Sequence, residues 1–205
     1  GYLPLALVAA LLPAEQVGPM FIYLFLFLLG FNLIIFSFGV SMLAFSKEKK
    51  FALASLFSPP VIATLVSLLA LFFGLNKVFP DFLFKPLKMI GDCTLPLAMF
   101  VVGGNLAQIK LGSINKKAIL LMSLAKLVIL PAIGLFLVIK FRLPRLIGLL
   151  ILIELAVPSA TFLSVFVRQY KKEDLLISQG IFFGHIIGIL TIPVFLSLYF
   201  TLVML

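Results

Sequence analysis

Glu154-Leu-Ala-Val-Pro-Ser-Ala-Thr-Phe-Leu-Ser164 decides how the whole chain is read. The stretch sits inside a long apolar run, yet it holds an acid, a proline and three hydroxyl residues. Lipid penalises each of them. Pro158 has no N–H, and its ring clashes with the carbonyl of Glu154 four residues back. A backbone carbonyl is therefore freed in mid-segment, with Ser159, Thr161 and Ser164 beside it. Irregular backbone persists at membrane depth only where protein or a water-lined cavity surrounds it. Two readings follow. In one, the helix is broken and the partly positive N-terminus of its second half faces an anionic group. In the other, the segment is a proline kink of the kind that spans often contain.

The rest of the chain supports a membrane setting. Of 205 residues, 63% are hydrophobic and 11% charged, and the mean hydropathy is +1.31. Soluble domains run at about 45–50% apolar and about 25% charged. The excess points to an all-α polytopic membrane protein. Twenty-three Phe suit lipid or core contact, and the absence of Trp leaves no Trp belt to mark the interfaces. The net charge is +9, but the Lys and Arg fall in short breaks between apolar runs. That pattern sets orientation and excludes nucleic acid as a partner. Cys93 is the single cysteine, so neither an internal disulfide nor a multi-cysteine metal site is expected. One histidine, no zinc spacing and no G-x-S-x-G elbow leave no enzyme signature, and no metal or cofactor is expected. The chain opens Gly-Tyr-Leu-Pro, without Met or a basic leader, and is expected to be part of a longer protein.

Seven apolar segments can be drawn: Gly1–Leu12, Met20–Phe45, Phe51–Gly74, Leu87–Gln108, Lys116–Ile139, Leu146–Arg168 and Asp174–Leu202. The last six are long enough to cross hydrocarbon, which takes about 20 residues. Between them lie breaks at Pro13–Gly18, Ser46–Lys50, Leu75–Pro86, Ile109–Asn115, Lys140–Arg145 and Gln169–Glu173. Nine basic residues fall on the side of Ser46–Lys50 and six on the other. The bias puts Ser46–Lys50 in the cytoplasm and the C-terminus outside.

A faint internal echo accompanies this layout. At a shift of 154 residues, Pro4 and Ala6 fall on Pro158 and Ala160, and Gly30 falls on Gly184. The two proline segments are the first and the sixth, five apart in the count, so they run in opposite directions. Inverted repeats have that signature, and they place broken helices and substrate sites near the midplane. Coincidence in an apolar chain is the competing account.

Helix rise places three ionisable groups in the middle third of their spans: Lys126, Glu154 and His185. Such groups cost several kcal/mol there unless they are paired or face a cavity. Lys126 and Glu154 lie on adjacent antiparallel segments and are expected to meet, either lining a polar cavity for an anion or proton or forming a buried pair that holds helices together. His185 lies beside Gly184 and Gly188 and reads first as a packing histidine, with proton or substrate contact as the alternative. Asp92 stands four residues before Pro96, as Glu154 stands before Pro158, and Thr94 extends the polar stretch between them. Asp92 either contributes to a site or caps and snorkels near the outer face. Asn32, mid-span after Gly30, is expected to face protein. Gly103-Gly104-Asn105 allows close helix contact and is no phosphate loop, because no Gly-Lys-Ser/Thr follows. Pro59-Pro60, Pro131 and Pro193 read as kinks.

Three stretches together resemble the auxin efflux carrier family, also called the membrane transport protein family. They are Gly1-Tyr-Leu-Pro-Leu-Ala-Leu7, Gly91-Asp-Cys-Thr-Leu-Pro-Leu-Ala-Met-Phe-Val-Val-Gly-Gly-Asn-Leu-Ala107 and Glu154-Leu-Ala-Val-Pro-Ser-Ala-Thr-Phe162. The resemblance implies a fold similar to that of bile-acid sodium symporters, with two inverted five-helix repeats whose fourth and ninth helices break at proline and cross. Laid on that plan, residues 1–50 end a first, incomplete repeat from the second part of span four, and residues 51–205 make a complete second repeat. The implied site takes Gly1 and Pro4 from one crossover and Pro158, Ser159 and Thr161 from the other. Gly91, Thr94, Pro96 and Asn105 match the family's stretch in span seven, although Asn105 stands where many members have Ala or Ser.

The expected function is therefore a secondary transporter that moves a small organic anion, such as a carboxylate, by alternating access. Lys126 and Glu154 set the charge of the cavity, and Glu154 or His185 carries a coupling proton. Expected partners are the anion, a proton or sodium, and membrane lipid, with a homodimer left open. The expected location is the plasma membrane, or the cytoplasmic membrane of a bacterium. The alternatives are a sodium-coupled symporter of related fold and a non-transporting membrane receptor or scaffold, whose helices would be packed shut at Pro158.

Overall fold

The computed structural model describes residues 2–34, 59–75, 80–107, 115–161, 163 and 174–203. Gly1, Ser164 and the expected breaks at Ser46–Lys50 and Gln169–Glu173 lie outside them. The described secondary structure is helical throughout: α1 (Tyr2–Leu11), α2 (Ala14–Ile34), α3 (Pro59–Phe72), α4 (Asp81–Asp92), α5 (Thr94–Ala107), α6 (Lys116–Leu124), a π-helical turn (Ala125–Ile129), α7 (Leu130–Lys140), α8 (Arg145–Ala156) and α9 (Asp174–Val203). Among the described residues, three helical stretches are long and apolar enough to cross a membrane: Ala14–Phe31, Lys116–Lys140 and Leu175–Val203. The chain is thus a multi-pass integral membrane protein.

Two expected breaks are narrower than drawn. α2 begins at Ala14, directly after Pro13, with Glu15 in its first turn. A carboxylate there suits the positive end of the helix dipole, so the polar run Ala14–Gly18 is a helix start and not a loop. α4 begins at Asp81 and carries Pro86 inside it, so helix resumes well before the expected end of the Leu75–Pro86 break. Pro80 stands at its N-cap position in extended backbone (φ −71°, ψ 142°).

The chain forms two compact units, residues 1–20 with 99–205, and residues 21–98. In the first, α1, the α6–π–α7 rod, α8 and α9 pack together. α1 turns Leu5, Val8 and Leu12 inward, a stripe at helical spacing. α8 contributes Leu149, Leu152, Ile153 and Ala156, and α9 contributes Ile181, Ile192, Phe195, Leu196 and Tyr199. The opposite face of α9 is equally apolar but exposed, at Ile186, Ile189, Leu190, Val194 and Leu198. A helix with one face on protein and the other on hydrocarbon has this pattern. In the second unit, α3 and α4 likewise expose large apolar side chains, among them Leu69, Phe72, Phe82 and Leu87.

The α7–α8 connection is the tightest in the first unit. Leu143 N–H bonds Val138 O and Arg142 N–H bonds Ile139 O, both at 3.2 Å. This is a Schellman closure, and it needs a left-handed residue at its corner. Arg142 occupies that corner at φ 49°, and Pro144 follows to stop the helix. Across this hairpin, Gly148 admits α7 and α9 at once. A Cβ there would lie 2.7 Å from Val138 Cγ1 and 2.9 Å from Tyr199 Oη. The Tyr199 hydroxyl cannot retreat, because it donates to the carbonyl of Arg145.

The left-handed corner costs a non-glycine residue about 1–2 kcal/mol. Arg142→Gly is therefore expected to raise the melting temperature of the full-length protein by a few degrees, and a drop in melting temperature would contradict the strained corner. Gly148→Ala should lower stability by about 1–3 kcal/mol through overpacking, read by the same thermal melt.

Candidate functional site

Two prolines, on two different helices, shape the backbone around the candidate site. Pro131 cannot donate a backbone hydrogen bond, and its ring would strike the carbonyl of Leu127 in a regular helix. The rod relaxes by widening: Leu130 N–H reaches back five residues to Ala125 O. Pro131 therefore accompanies a π-helical turn, a local form that recurs at functional sites. Lys126 is the second residue of that turn.

Pro158 acts on the end of α8. Val157 leaves the helix in extended backbone (φ −69°, ψ 145°), with its N–H still bonded to Ile153 O at 3.0 Å. The next two carbonyls, of Glu154 and Leu155, would take the N–H groups of residues 158 and 159 in a continuing helix. The first of these is a proline, and the extended chain carries the second away. Lys126 Nζ replaces both, donating to Glu154 O at 3.2 Å and to Leu155 O at 3.0 Å. An ammonium at the negative end of a helix is favourable in itself, and here it also satisfies orphaned acceptors.

The ring of Pro158 is buried against α9, over two glycines one turn apart. A Cβ on Gly184 would lie 3.6 Å from Pro158 Cβ, and one on Gly188 would lie 3.0 Å from Pro158 Cγ. Beside this seat lies a cavity of about 250 Å3. Its polar lining comes from Ser123, Lys126 and Ser159, and its remaining walls include Pro158, Gly180, Gly184, Met122 and Leu130. Ser123 Oγ is buried with no hydrogen-bond partner. Lys126 spends two of its three donors on carbonyls, leaving one for a group entering the cavity. The arrangement places one positive charge and two serines in the wall of a mostly apolar hollow, which suits a small anion with an apolar body.

The structure joins some of the expected residues and separates others. Lys126, Pro158 and Ser159 come together at the cavity. Lys126 and Glu154 meet, but not as an ion pair: the ammonium takes the backbone carbonyl of Glu154, because Pro158 left that carbonyl open. The Glu154 side chain is half-buried, with Oε1 unpartnered, and it is not among the residues lining the cavity. Thr161 is also half-buried and outside the lining. His185 Nδ1 donates to Ile181 O of its own helix at 2.8 Å, an arrangement that suits a packing histidine. Pro4 is buried in α1, and α1 packs on α8. In the second unit, Asp92 ends α4 and pairs with Lys88 at 3.2 Å, both side chains 66% exposed. Thr94 and Pro96 are exposed at the start of α5. The side chains of Asn32 and Asn105 lie outside the described residues.

Ser123, Gly180 and Tyr199 were not foreseen. Ser123 stands three residues before Lys126, a spacing that puts two helical residues on one face. Gly180, Gly184 and Gly188 repeat every four residues, the small-residue stripe that admits a close neighbour. A mid-span Tyr such as Tyr199 calls for a hydroxyl partner, but nothing in the sequence says which.

Comparison with known proteins supplies the family. The profile described as "Membrane transport protein" matches residues 42–196, more than half of the chain. This chain belongs to the membrane transport protein family. Auxin efflux carrier component 8 of Arabidopsis thaliana is 28% identical over 148 residues, covering 71% of this chain and 40% of that protein. Protein PIN-LIKES 1 of the same plant is 27% identical over 178 residues, covering 77% of this chain and 36% of its own length. The chain thus spans about two-fifths of each of these relatives. No solved structure matches it significantly. The membrane transport protein match takes in Lys126, Pro158, Ser159, Gly184 and Gly188, while Pro4 and Asn32 precede it. Membership in a transport family, rather than any missing motif, sets an enzymatic role aside.

The glycine seat yields paired expectations. Gly188→Val should destabilise by about 1–3 kcal/mol, because the Pro158 ring cannot yield. Gly184→Ala meets only ordinary contact and should be neutral or stabilising by up to about 1 kcal/mol. Thermal melts of the two variants in detergent check the contrast, and equal effects would remove the close seat of Pro158 on Gly188.

Proposed function

We propose that this chain is part of a secondary carrier for a small organic anion, and that the cavity beside Pro158 receives the anion's carboxylate. One observation carries the reading: an ammonium anchored at a broken helix end, with a donor to spare, borders a hollow of about 250 Å3. The relative named as an auxin efflux carrier component supports the role of a carrier. In this reading the chain holds the end of a first inverted repeat, residues 1–50, and a full second repeat, residues 51–205. Pro4 and Pro158 mark the two crossover helices, and rocking of one part against another gives alternating access. The plasma membrane, or the cytoplasmic membrane of a bacterium, is the proposed location.

Glu154 is the proposed carrier of a coupling proton. Its Oε1 is buried without a partner, and a proton there removes the cost of an isolated buried charge. The cavity argues against sodium at the same spot, since Lys126 already brings a positive charge. A receptor or scaffold with helices packed shut at Pro158 does not account for the cavity.

Uptake of labelled small carboxylates by the full-length protein in vesicles tests the reading. Lys126→Met should lower kcat/KM by about 10–100-fold, the cost of a lost charged hydrogen bond. Lys126→Arg should retain part of the activity, and a proton gradient should drive uptake where a sodium gradient does not. Unchanged uptake by Lys126→Met would remove the proposed site. Unchanged uptake by Glu154→Ala would remove the proton role alone.

A further inference from the structure

The end of α8 is assembled as a cation site. Two carbonyls of its last turn, Glu154 O and Leu155 O, converge on one point, which Lys126 Nζ occupies at 3.2 and 3.0 Å. The last turn of a helix carries partial negative charge, so the point favours a cation before any ligand is considered. The backbone cannot satisfy Glu154 O, because the residue four places on is Pro158. Ser123 Oγ is buried without a partner, and Ser123 lines the same cavity as Lys126. Lys126 lines that cavity, so shortening its side chain leaves room between the hollow and the carbonyls.

We propose that the broken end of α8 is a monovalent-cation site that the chain fills with its own Lys126 ammonium, and that it takes up a free primary ammonium ion once that side chain is shortened. The site follows from the helix break and does not depend on what the protein carries. Its occupant needs a positive charge and at least two N–H donors, because two separate carbonyl oxygens each accept a hydrogen bond from it. n-Propylammonium is the fragment that Lys126→Ala removes, so it matches both the chemistry and the space.

The experiment is a thermal melt of the purified full-length protein in detergent, as wild type, Lys126→Ala, Lys126→Met and Lys126→Arg. Each is titrated with n-propylammonium chloride and, at equal ionic strength, with tetramethylammonium chloride, a cation with no N–H. The expected result is a saturable rise on the order of 5 °C for Lys126→Ala with n-propylammonium. Tetramethylammonium should give no rise. Neither wild type, whose site is filled by ammonium, nor Lys126→Met, whose side chain takes up that room, should respond. No rise in Lys126→Ala, an equal rise with tetramethylammonium, or an equal rise in wild type or Lys126→Met would overturn the proposal. So would a Lys126→Ala protein that cannot be recovered folded even with n-propylammonium throughout purification while Lys126→Arg can. Because uptake is not read, this outcome stands apart from the carrier assay.

Discussion

Backbone carbonyls in a membrane must find donors within the protein, and here Lys126 supplies them. Pro158 denies Glu154 O its helical partner, and the extended residue Val157 carries the chain away from Leu155 O. Water would repair such a helix end in a soluble protein. In hydrocarbon the repair must come from another helix, and it comes as an ammonium from the π turn of the α6–α7 rod. The pairing solves two problems together, since an unpartnered lysine at that depth is as costly as an orphaned carbonyl. α8 can end where it does because Lys126 caps its last carbonyls, and the Lys126 ammonium can be part-buried there because those carbonyls accept from it.

The surrounding packing serves that junction. Pro131 accompanies the widening of the rod at Lys126, and the Gly184–Gly188 flat lets the Pro158 ring lie against α9. Prolines on two helices thus loosen two backbones at neighbouring points, and glycines on a third make room. The cavity is what remains between these shapes. On the far side of α8, Gly148 and Tyr199 close the bundle tightly.

Legibility in the sequence followed the physics of the solvent. Length and apolarity forecast the rod over Lys116–Lys140 and the long helix α9 almost to the residue, because crossing hydrocarbon demands them. A disturbance at Pro158 was legible from the missing N–H, and the extended backbone of Val157 decides for a break over a kink. The run Ala14–Gly18 was misread as a break because its polar residues are those that also begin helices. The pairing of Lys126 with carbonyls, rather than with the Glu154 carboxylate, was not legible. Charge type suggests an ion pair, whereas direction of approach decides between side chain and backbone. The role of Ser123 was hidden for a related reason: on a helix apolar all round, periodicity does not separate the face on protein from the face on lipid.

The amino-acid sequence by itself determined that this is a helical membrane protein, that Pro158 must disturb the helix that precedes it, and that Lys126 and Glu154 lie at similar depth. Each of these follows from local covalent chemistry or from the bilayer's thickness. Only the tertiary structure decided which atoms the lysine reaches, that Pro158 rests on Gly184 and Gly188, and that a hollow stays open beside them. Those outcomes depend on how the helices rotate about their own axes. Rotation is set by fitting side chains together in three dimensions, and in a chain apolar on every face the order of residues leaves it open.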